Sequence, residues 1–238
     1  MKIAVLSDVH GNLPALQAAL EDIERRNIRH TAYLGDLALL GLYPQECFDL
    51  LTRYDPTVWI KGNADEDMRC VLSPPPQSTF GQWLKSVADY AVSRLADDSI
   101  DYLNKLAICM PLQVEGVEIT FCHGSPYNVS EHLVENLAPE TAMRVEEDKY
   151  RHIFCGHTHT EKTFFIGSCV ITNFGAVGYS FDGDVSPRYG IITIRENGRP
   201  TSETVRVGYD STGYKAQLKK ENPPFRENLL HALEHGRP

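Results

Sequence analysis

The sequence predicts an α/β fold built on two β-sheets with helices outside them, and three observations carry that expectation. Strand-length apolar runs open the chain three times, each ending in a glycine-marked polar turn, in the manner of βα units. A stretch of helical periodicity then interrupts the middle, and short strand-like runs recur from there to about residue 207. With 238 residues, 42% of them hydrophobic, the chain can bury one sizeable core and is read as a single domain over 1–238.

Residues 3–6 form a continuous apolar run that stops at Ser7-Asp8-Val9-His10-Gly11-Asn12, after which Leu13, Leu16, Leu20 and Ile23 recur at helical spacing. The pattern returns at 31–34 before Gly35-Asp36 and at 57–60 before Lys61-Gly62-Asn63. Three such units place three polar loops at one sheet edge. Pro74-Pro75-Pro76 breaks the chain, and a helical insert over about 79–106 reads as one or two helices, with Asp98-Ser99 a cap before Ile100, Leu103 and Leu106. Strand patterns follow at 108–114, 117–122, 153–155, 164–166, 170–172, 189–194 and 204–207, which read most economically as a second, mostly antiparallel sheet. Residues 208–238 read as a peripheral helical tail around Pro223-Pro224 that carries no chemistry.

The formal net charge is -9 at pH 7 with no cluster of Lys and Arg, so a duplex phosphate backbone meets a repulsive field and is not an expected partner. The six cysteines lack a Cys-x-x-Cys pair and sit mostly in apolar runs, which suits a reducing compartment. The apolar start ends at Ser7-Asp8, too short for a membrane span or a secretory leader. A soluble, cytoplasmic protein is expected.

The chemistry concentrates at the strand ends. Four of them carry Asp8-x-His10, Gly35-Asp36, Gly62-Asn63 and His123-Gly124, and a fifth loop carries Gly156-His157-Thr158-His159. Glycine beside a ligand lets the backbone turn sharply and approach an ion closely. Mixed carboxylate, amide and imidazole donors suit manganese, iron or zinc. A lone Asp-x-His in a turn is more often solvent-bound than metal-bound, but four of the nine histidines fall at these turns together. The joint occurrence points to a metal site.

In order and spacing these elements resemble the calcineurin-like metallophosphoesterases, whose pattern reads D-x-H, G-D, G-N-H, H and G-H-x-H. The resemblance spans roughly residues 1–207 and looks closest to the small prokaryotic phosphodiesterase and diadenosine-tetraphosphatase-like branch. His123-Gly124-Ser125-Pro126 and Asn173-Phe174-Gly175-Ala176-Val177-Gly178 followed by Asp182-Gly183-Asp184 carry that closer likeness. It implies a four-layer α/β/β/α sandwich of two mixed sheets flanked by helices, the metallo-dependent phosphatase fold. It also implies two divalent ions, manganese first, with iron, zinc, nickel or cobalt as alternatives. Asp8, His10, Asp36 and His159 would hold one ion and Asp36, Asn63, His123 and His157 the other, with Asp36 bridging. Two divalent ions outweigh two carboxylates, so an otherwise acidic chain would still present a positive centre to phosphate. A hydroxide bridging ions about 3.5 to 4 Å apart would be the nucleophile, with Asp36, Asn63 and His123 at the catalytic heart.

The implied activity is hydrolysis of phosphodiesters or nucleotide phosphoanhydrides, on a small phosphate ester or nucleotide, with a homo-oligomer neither required nor excluded. Two rivals exist within the resemblance. A protein phosphatase is disfavoured because Ala64 stands where the family often has the histidine that orients phosphate and protonates the leaving group. A non-catalytic scaffold, like the family's retromer subunit, need not retain seven metal-capable positions. The relatives' Pro-Arg-Asp-Gly segment after Val-Gly is also missing, which leaves Arg188 as the nearest cation for substrate, joined by Asn12 and His132 in the site loops. Asn12 and Asp65 are alternatively supports for the ligands or plain caps. Trp83 and Tyr90, at helical spacing, are expected in the core.

Overall fold

The computed structural model describes residues 1–70, 78–196 and 198–238, so the triple-proline break lies outside the described residues. The first five elements are β1 (Lys2–Leu6), α1 (Leu13–Arg25), β2 (His30–Tyr33), α2 (Pro44–Tyr54) and β3 (Val58–Trp59), two βα units of the sequence pattern and the strand of the third. Each helix starts for a local reason. Asn12 accepts the N–H of Ala15 ahead of α1, and Pro14 and Pro44 sit in the first turns of α1 and α2, where no amide partner is lost. Residues Ala15, Leu16, Ala19, Leu20 and Ile23 are buried, one stripe of an amphipathic helix.

Next come α3 (Asn63–Cys70), α4 (Thr79–Val92) and α5 (Asp97–Lys105). The insert is thus two helices. The expected cap at Asp98-Ser99 is instead Ala96, whose own N–H is taken up by the Gln45 side chain from α2. The remaining strands are β4 (Cys109–Val114), β5 (Val117–Cys122), β6 (His152–Cys155), β7 (Glu161–Ile166), β8 (Cys169–Phe174), β9 (Arg188–Thr193) and β10 (Thr201–Arg206). Helix α6 (Pro139–Glu147) precedes β6, and α7 (Thr212–Glu221) and α8 (Arg226–His235) close the chain.

Two five-stranded mixed sheets result, ordered β10-β9-β1-β2-β3 and β4-β5-β6-β8-β7. Two expectations change here. The second sheet is not mostly antiparallel, because β5-β6 and β6-β8 run parallel between antiparallel edges. Strands β9 and β10 leave it altogether and extend the first sheet antiparallel to β1. Periodicity reports that a strand is buried, not which neighbour it pairs with.

Alternation along the strands separates three cores and so defines four layers. On β1, Ala4 and Leu6 face the helices with Leu16 and Leu20, while Ile3 and Val5 face the other sheet. Ile119, Phe121, Phe154 and Phe174 complete that central layer. Beyond it, Cys122, Ile153 and Ile171 pack under Val145 of α6. The C-terminal tail is less peripheral than its sequence suggests, since Tyr214, Leu218, Phe225, Leu229 and Leu233 are buried in the first core. No helix among the described residues is long and apolar enough to cross a membrane.

The parallel strands decide where the loops go. Pairing continues past the strand ends: Asp8 N–H donates to Gly35 O at 3.0 Å and His10 N–H to Asp36 O at 3.0 Å. On the other sheet Gly156 N–H donates to His123 O at 2.9 Å, and Val177 and Gly178 N–H reach across to Ser7 and Asp8 O. All five loops therefore meet at one edge.

Candidate metal centre

The loops at this edge hold their side chains by unusual backbone. Asp8, His10, Asp36, His157 and His159 all have positive φ, between 46° and 70°, a region non-glycine residues enter at a cost of order 1–3 kcal/mol each. Surrounding contacts hold them there. A Cβ at Gly62 would run into the Asp36 carboxylate, and one at Gly156 into Ser7 Oγ and Asp8 Oδ2, so only glycine permits this approach.

Three of the histidines are aimed by the same device. His10 Nδ1 donates to Leu39 O at 2.8 Å, His123 Nδ1 to Leu34 O at 2.8 Å and His159 Nδ1 to Tyr179 O at 2.5 Å. A carbonyl can only accept, so Nδ1 carries a proton and Nε2 is the ring nitrogen left facing inward. The ligand-capable atoms of Asp8, His10 and His159 lie within 4.8 Å of one another, as do those of Asp36, His123 and His157. Asn63 joins the second group, its Oδ1 3.0 Å from His123 Nε2.

Asp36 stands between the groups. Its Oδ2 lies 3.6 Å from His10 Nε2 and 3.3 Å from His123 Nε2, while Oδ1 accepts the Ala64 N–H at 2.8 Å. Only one of its two oxygens faces both groups. Asp8 is likewise shared, with Oδ1 3.5 Å from His159 Nε2 and 3.8 Å from His123 Nε2.

These donors lack what they would need in a metal-free resting protein. Asp8 Oδ1 and His157 Nε2 are buried without a hydrogen-bond partner, and an unsatisfied buried polar group is costly. Burial opposes ionisation of Asp36, but the facing His123 and His10 rings and the Ala64 amide outweigh it and hold the carboxyl below the usual range. Burial would push His123 down, yet Asp36 and Asp8 overcome it and raise it to about 9. His159 is pushed down to about 4, chiefly by burial. The carboxylates demand positive charge here, and the donor set fits a divalent ion in each group.

Residues 1–197 match the family model of the calcineurin-like phosphoesterase superfamily domain. The chain belongs to that superfamily. Among curated proteins, this phosphoesterase is 28% identical over 242 residues to the uncharacterized protein MJ0912 of Methanocaldococcus jannaschii, covering 94% of each chain. Among solved structures it is similar to a metallophosphoesterase from Sphaerobacter thermophilus, at 26% identity and a TM-score of 0.76 over 99% of both chains. The hypothetical protein PH1004 from Pyrococcus horikoshii OT3 shares its fold, with a TM-score of 0.82 at 22% identity, over 99% of this chain and 98% of that one.

The residues expected to touch substrate fare differently. Asn12 is buried and spent: Oδ1 caps α1, and Nδ2 donates to Gly178 O and Tyr209 Oη. Arg188 is buried at 1% exposure, with its guanidinium paired to Asp182, to Asp184 at 3.2 Å and to Glu161 at 3.8 Å. Both are redirected by these partners to holding the fold: Arg188 Nε is left without a partner, but it is buried away from solvent. His132 is the exception, an exposed ring edge-on to His157 with centroids 4.5 Å apart.

Asp65 supports the site as a clamp. Its Oδ2 accepts the N–H of Asp36 and Gly62 and its Oδ1 that of Leu37, tying two ligand loops together. Burial, then the charge of Asp36, push its carboxyl up to about 6. Two supports escape sequence reasoning. Asn173 donates to Gly156 O and Thr158 Oγ1, fixing the loop of His157 and His159. Phe181 stacks flat on the His159 ring, centroids 4.3 Å apart at 8°. The run Asn173-Phe174-Gly175 was visible as a family feature, but nothing local links Phe181 to a histidine 22 positions earlier.

Proposed function

We propose that this phosphoesterase hydrolyses phosphodiesters or nucleotide phosphoanhydrides with two divalent ions. One would be held by Asp8, His10, Asp36 and His159 and the other by Asp36, Asn63, His123 and His157. The observation that carries the reading is the set of buried, unpartnered donors, Asp8 Oδ1 and His157 Nε2, facing inward with Asp36 Oδ2 between the groups. When bound, such ions supply Lewis acidity toward phosphoryl oxygens and lower the pKa of water toward neutrality. Manganese suits the mixed oxygen and nitrogen donors, with iron, zinc, nickel and cobalt next.

The chain's own residues do the rest. Carbonyls at Leu34, Leu39 and Tyr179 fix three imidazoles, so little reorganisation is left for the reaction. Asn63 and His157 are half-buried while the remaining ligands are buried, which makes their side the entrance for phosphate. His132 stands at that entrance and is the side chain placed to hand a proton to a departing oxygen. Ala64 cannot do so, because its methyl group carries no proton to give.

Assay of the metal-stripped protein reloaded with Mn, Co, Ni, Zn or Mg tests the proposal, using phosphomonoesters, aryl and alkyl diesters, cyclic nucleotides and dinucleoside polyphosphates. Metal-dependent turnover of diesters or anhydrides is expected. Absence of turnover on all of them would favour a binding scaffold.

A further inference from the structure

The C-terminal tail is expected from its sequence to carry no chemistry, and it lies beyond residues 1–197 matched to the family, yet one of its hydroxyls reaches the first metal group. Tyr214 of α7 is buried, and its Oη accepts the Leu42 N–H at 3.2 Å, with Gly11 O at 3.4 Å and Tyr179 Oη at 2.8 Å. A carbonyl only accepts, so the Tyr214 proton goes to Gly11 O and Tyr179 donates its own to Tyr214. With the Leu42 amide, these bonds fill the one donor and both lone pairs of that oxygen. Tyr209, at the start of the tail, accepts Asn12 Nδ2–H in the same loop at 3.3 Å.

Each partner of Tyr214 belongs to a segment that aims a histidine of that group. Gly11 directly follows His10, and Leu42 lies shortly after Leu39, whose carbonyl accepts His10 Nδ1–H. Tyr179 supplies the carbonyl that accepts His159 Nδ1–H. The second group is built without the tail: Leu34 O aims His123, Asn63 opens α3, and Asp65 ties the loops of Asp36 and Gly62. Among the described residues, no hydrogen bond joins residues 208–238 to that group's ligands or to these supports. Elsewhere the tail is held on α4, where Trp83 and Tyr90 lie half-buried at the rim of the core and bond Pro224 O and Glu221.

Resting on the two-ion reading above, we infer that Tyr214 is a positioning residue for the first metal group alone. Its hydroxyl holds the backbone that aims His10 and His159, and so sets that group's affinity for a divalent ion without touching the ion. Tyr214→Phe keeps the ring in the core but leaves the Leu42 N–H and the Tyr179 O–H buried without a partner, and both segments must shift to satisfy them. The second group keeps its own supports.

The test is Mn²⁺ binding to the metal-stripped protein, with free Mn²⁺ read by electron paramagnetic resonance. Anomalous diffraction, at a Mn²⁺ level that half-fills the first group in the wild type, tells the two groups apart. Loss of a support behind a metal ligand typically costs about 10 to 100-fold in metal affinity. Tyr214→Phe should therefore weaken the first group at least about tenfold, so that the peak among Asp8, His10 and His159 falls from about one half occupancy to about one tenth. The peak beside Asn63, His123 and His157 should stay within about twofold of wild type. Leu218→Ala, a buried position on the same helix, loosens the tail without removing the hydroxyl. It should lower the melting temperature of the metal-free protein at least as much as Tyr214→Phe, yet leave both peaks within about twofold. Equal weakening of both groups by Tyr214→Phe, weakening of neither, or the same loss in Leu218→Ala overturns the positioning role and leaves the two-ion reading intact. Manganese at neither group in the wild type overturns both.

Discussion

The Nε2 atoms of His10 and His159 face each other at 3.1 Å, although both rings have already committed Nδ1 protons to backbone carbonyls. With both Nε2 atoms deprotonated, two lone pairs would meet at that separation beside a buried carboxylate oxygen without a partner, an arrangement that a cation between them would relieve. Saturating Mn²⁺ should therefore raise the melting temperature, because a ligand at a hundred times its Kd stabilises by about 2.7 kcal/mol. Calorimetric scans with and without chelator check this. His159→Ala should shrink the metal-induced shift by at least about half, and an unchanged shift would remove His159 from the ligand set.

Substitution of Asp36 asks a different question. Its Oδ1 is occupied by the Ala64 amide, so Oδ2 alone faces both groups. Asp36→Asn should cut turnover by more than about 10³-fold and lower metal content, read by elemental analysis beside a diester assay. Full metal content with wild-type rate would contradict the assignment.

His132→Ala should lose at least about tenfold in kcat with metal content unchanged, since general-acid work typically contributes 10² to 10⁴-fold. A loss under about twofold would leave His132 as an exposed surface ring packed on His157.

Arg188 is expected to matter for stability and not for substrate. Arg188→Met strips Asp182, Asp184 and Glu161 of their buried partner and should cost about 2 kcal/mol in urea unfolding, with KM unchanged. The pH dependence has a definite sign. Hydrogen bonds from Ser186 and the charge of Arg188 hold Asp184 down at about 2, against burial, and Asp182 is also held below the usual range. A carboxyl lowered on folding contributes stability that is present above its unfolded pKa near 3.9 and is lost as pH falls through the folded value. The gap between wild type and variant should thus be full above about pH 4 and close toward pH 2, followed on metal-free protein. A gap independent of pH would mean that packing, not charge, accounts for Arg188.

Much of this was legible beforehand, for identifiable reasons. A buried parallel strand reads as an unbroken apolar run, and the turn after it must abandon that pattern, so Asp8, Asp36, Asn63 and His123 stand out against Leu6, Leu34, Ile60 and Cys122. Pairing partners are not written locally, which hid the transfer of β9 and β10 to the first sheet. Helix α6 was missed because only Thr141 and Val145 of its nine residues are buried, too few to make a period. The fate of Arg188 had a signal that went unused: Asp182 and Asp184 lie six and four residues before it, and a cation so close to two carboxylates is more readily paired than free.

The central claim, two ions in two groups sharing Asp36, is tested most directly by anomalous diffraction from crystals grown with Mn²⁺. Two peaks about 3.5 to 4 Å apart are expected, one against Asp8, His10 and His159, the other against Asn63, His123 and His157, with Asp36 Oδ2 between them. A single peak at full occupancy, or ions bound away from these seven residues, would contradict it.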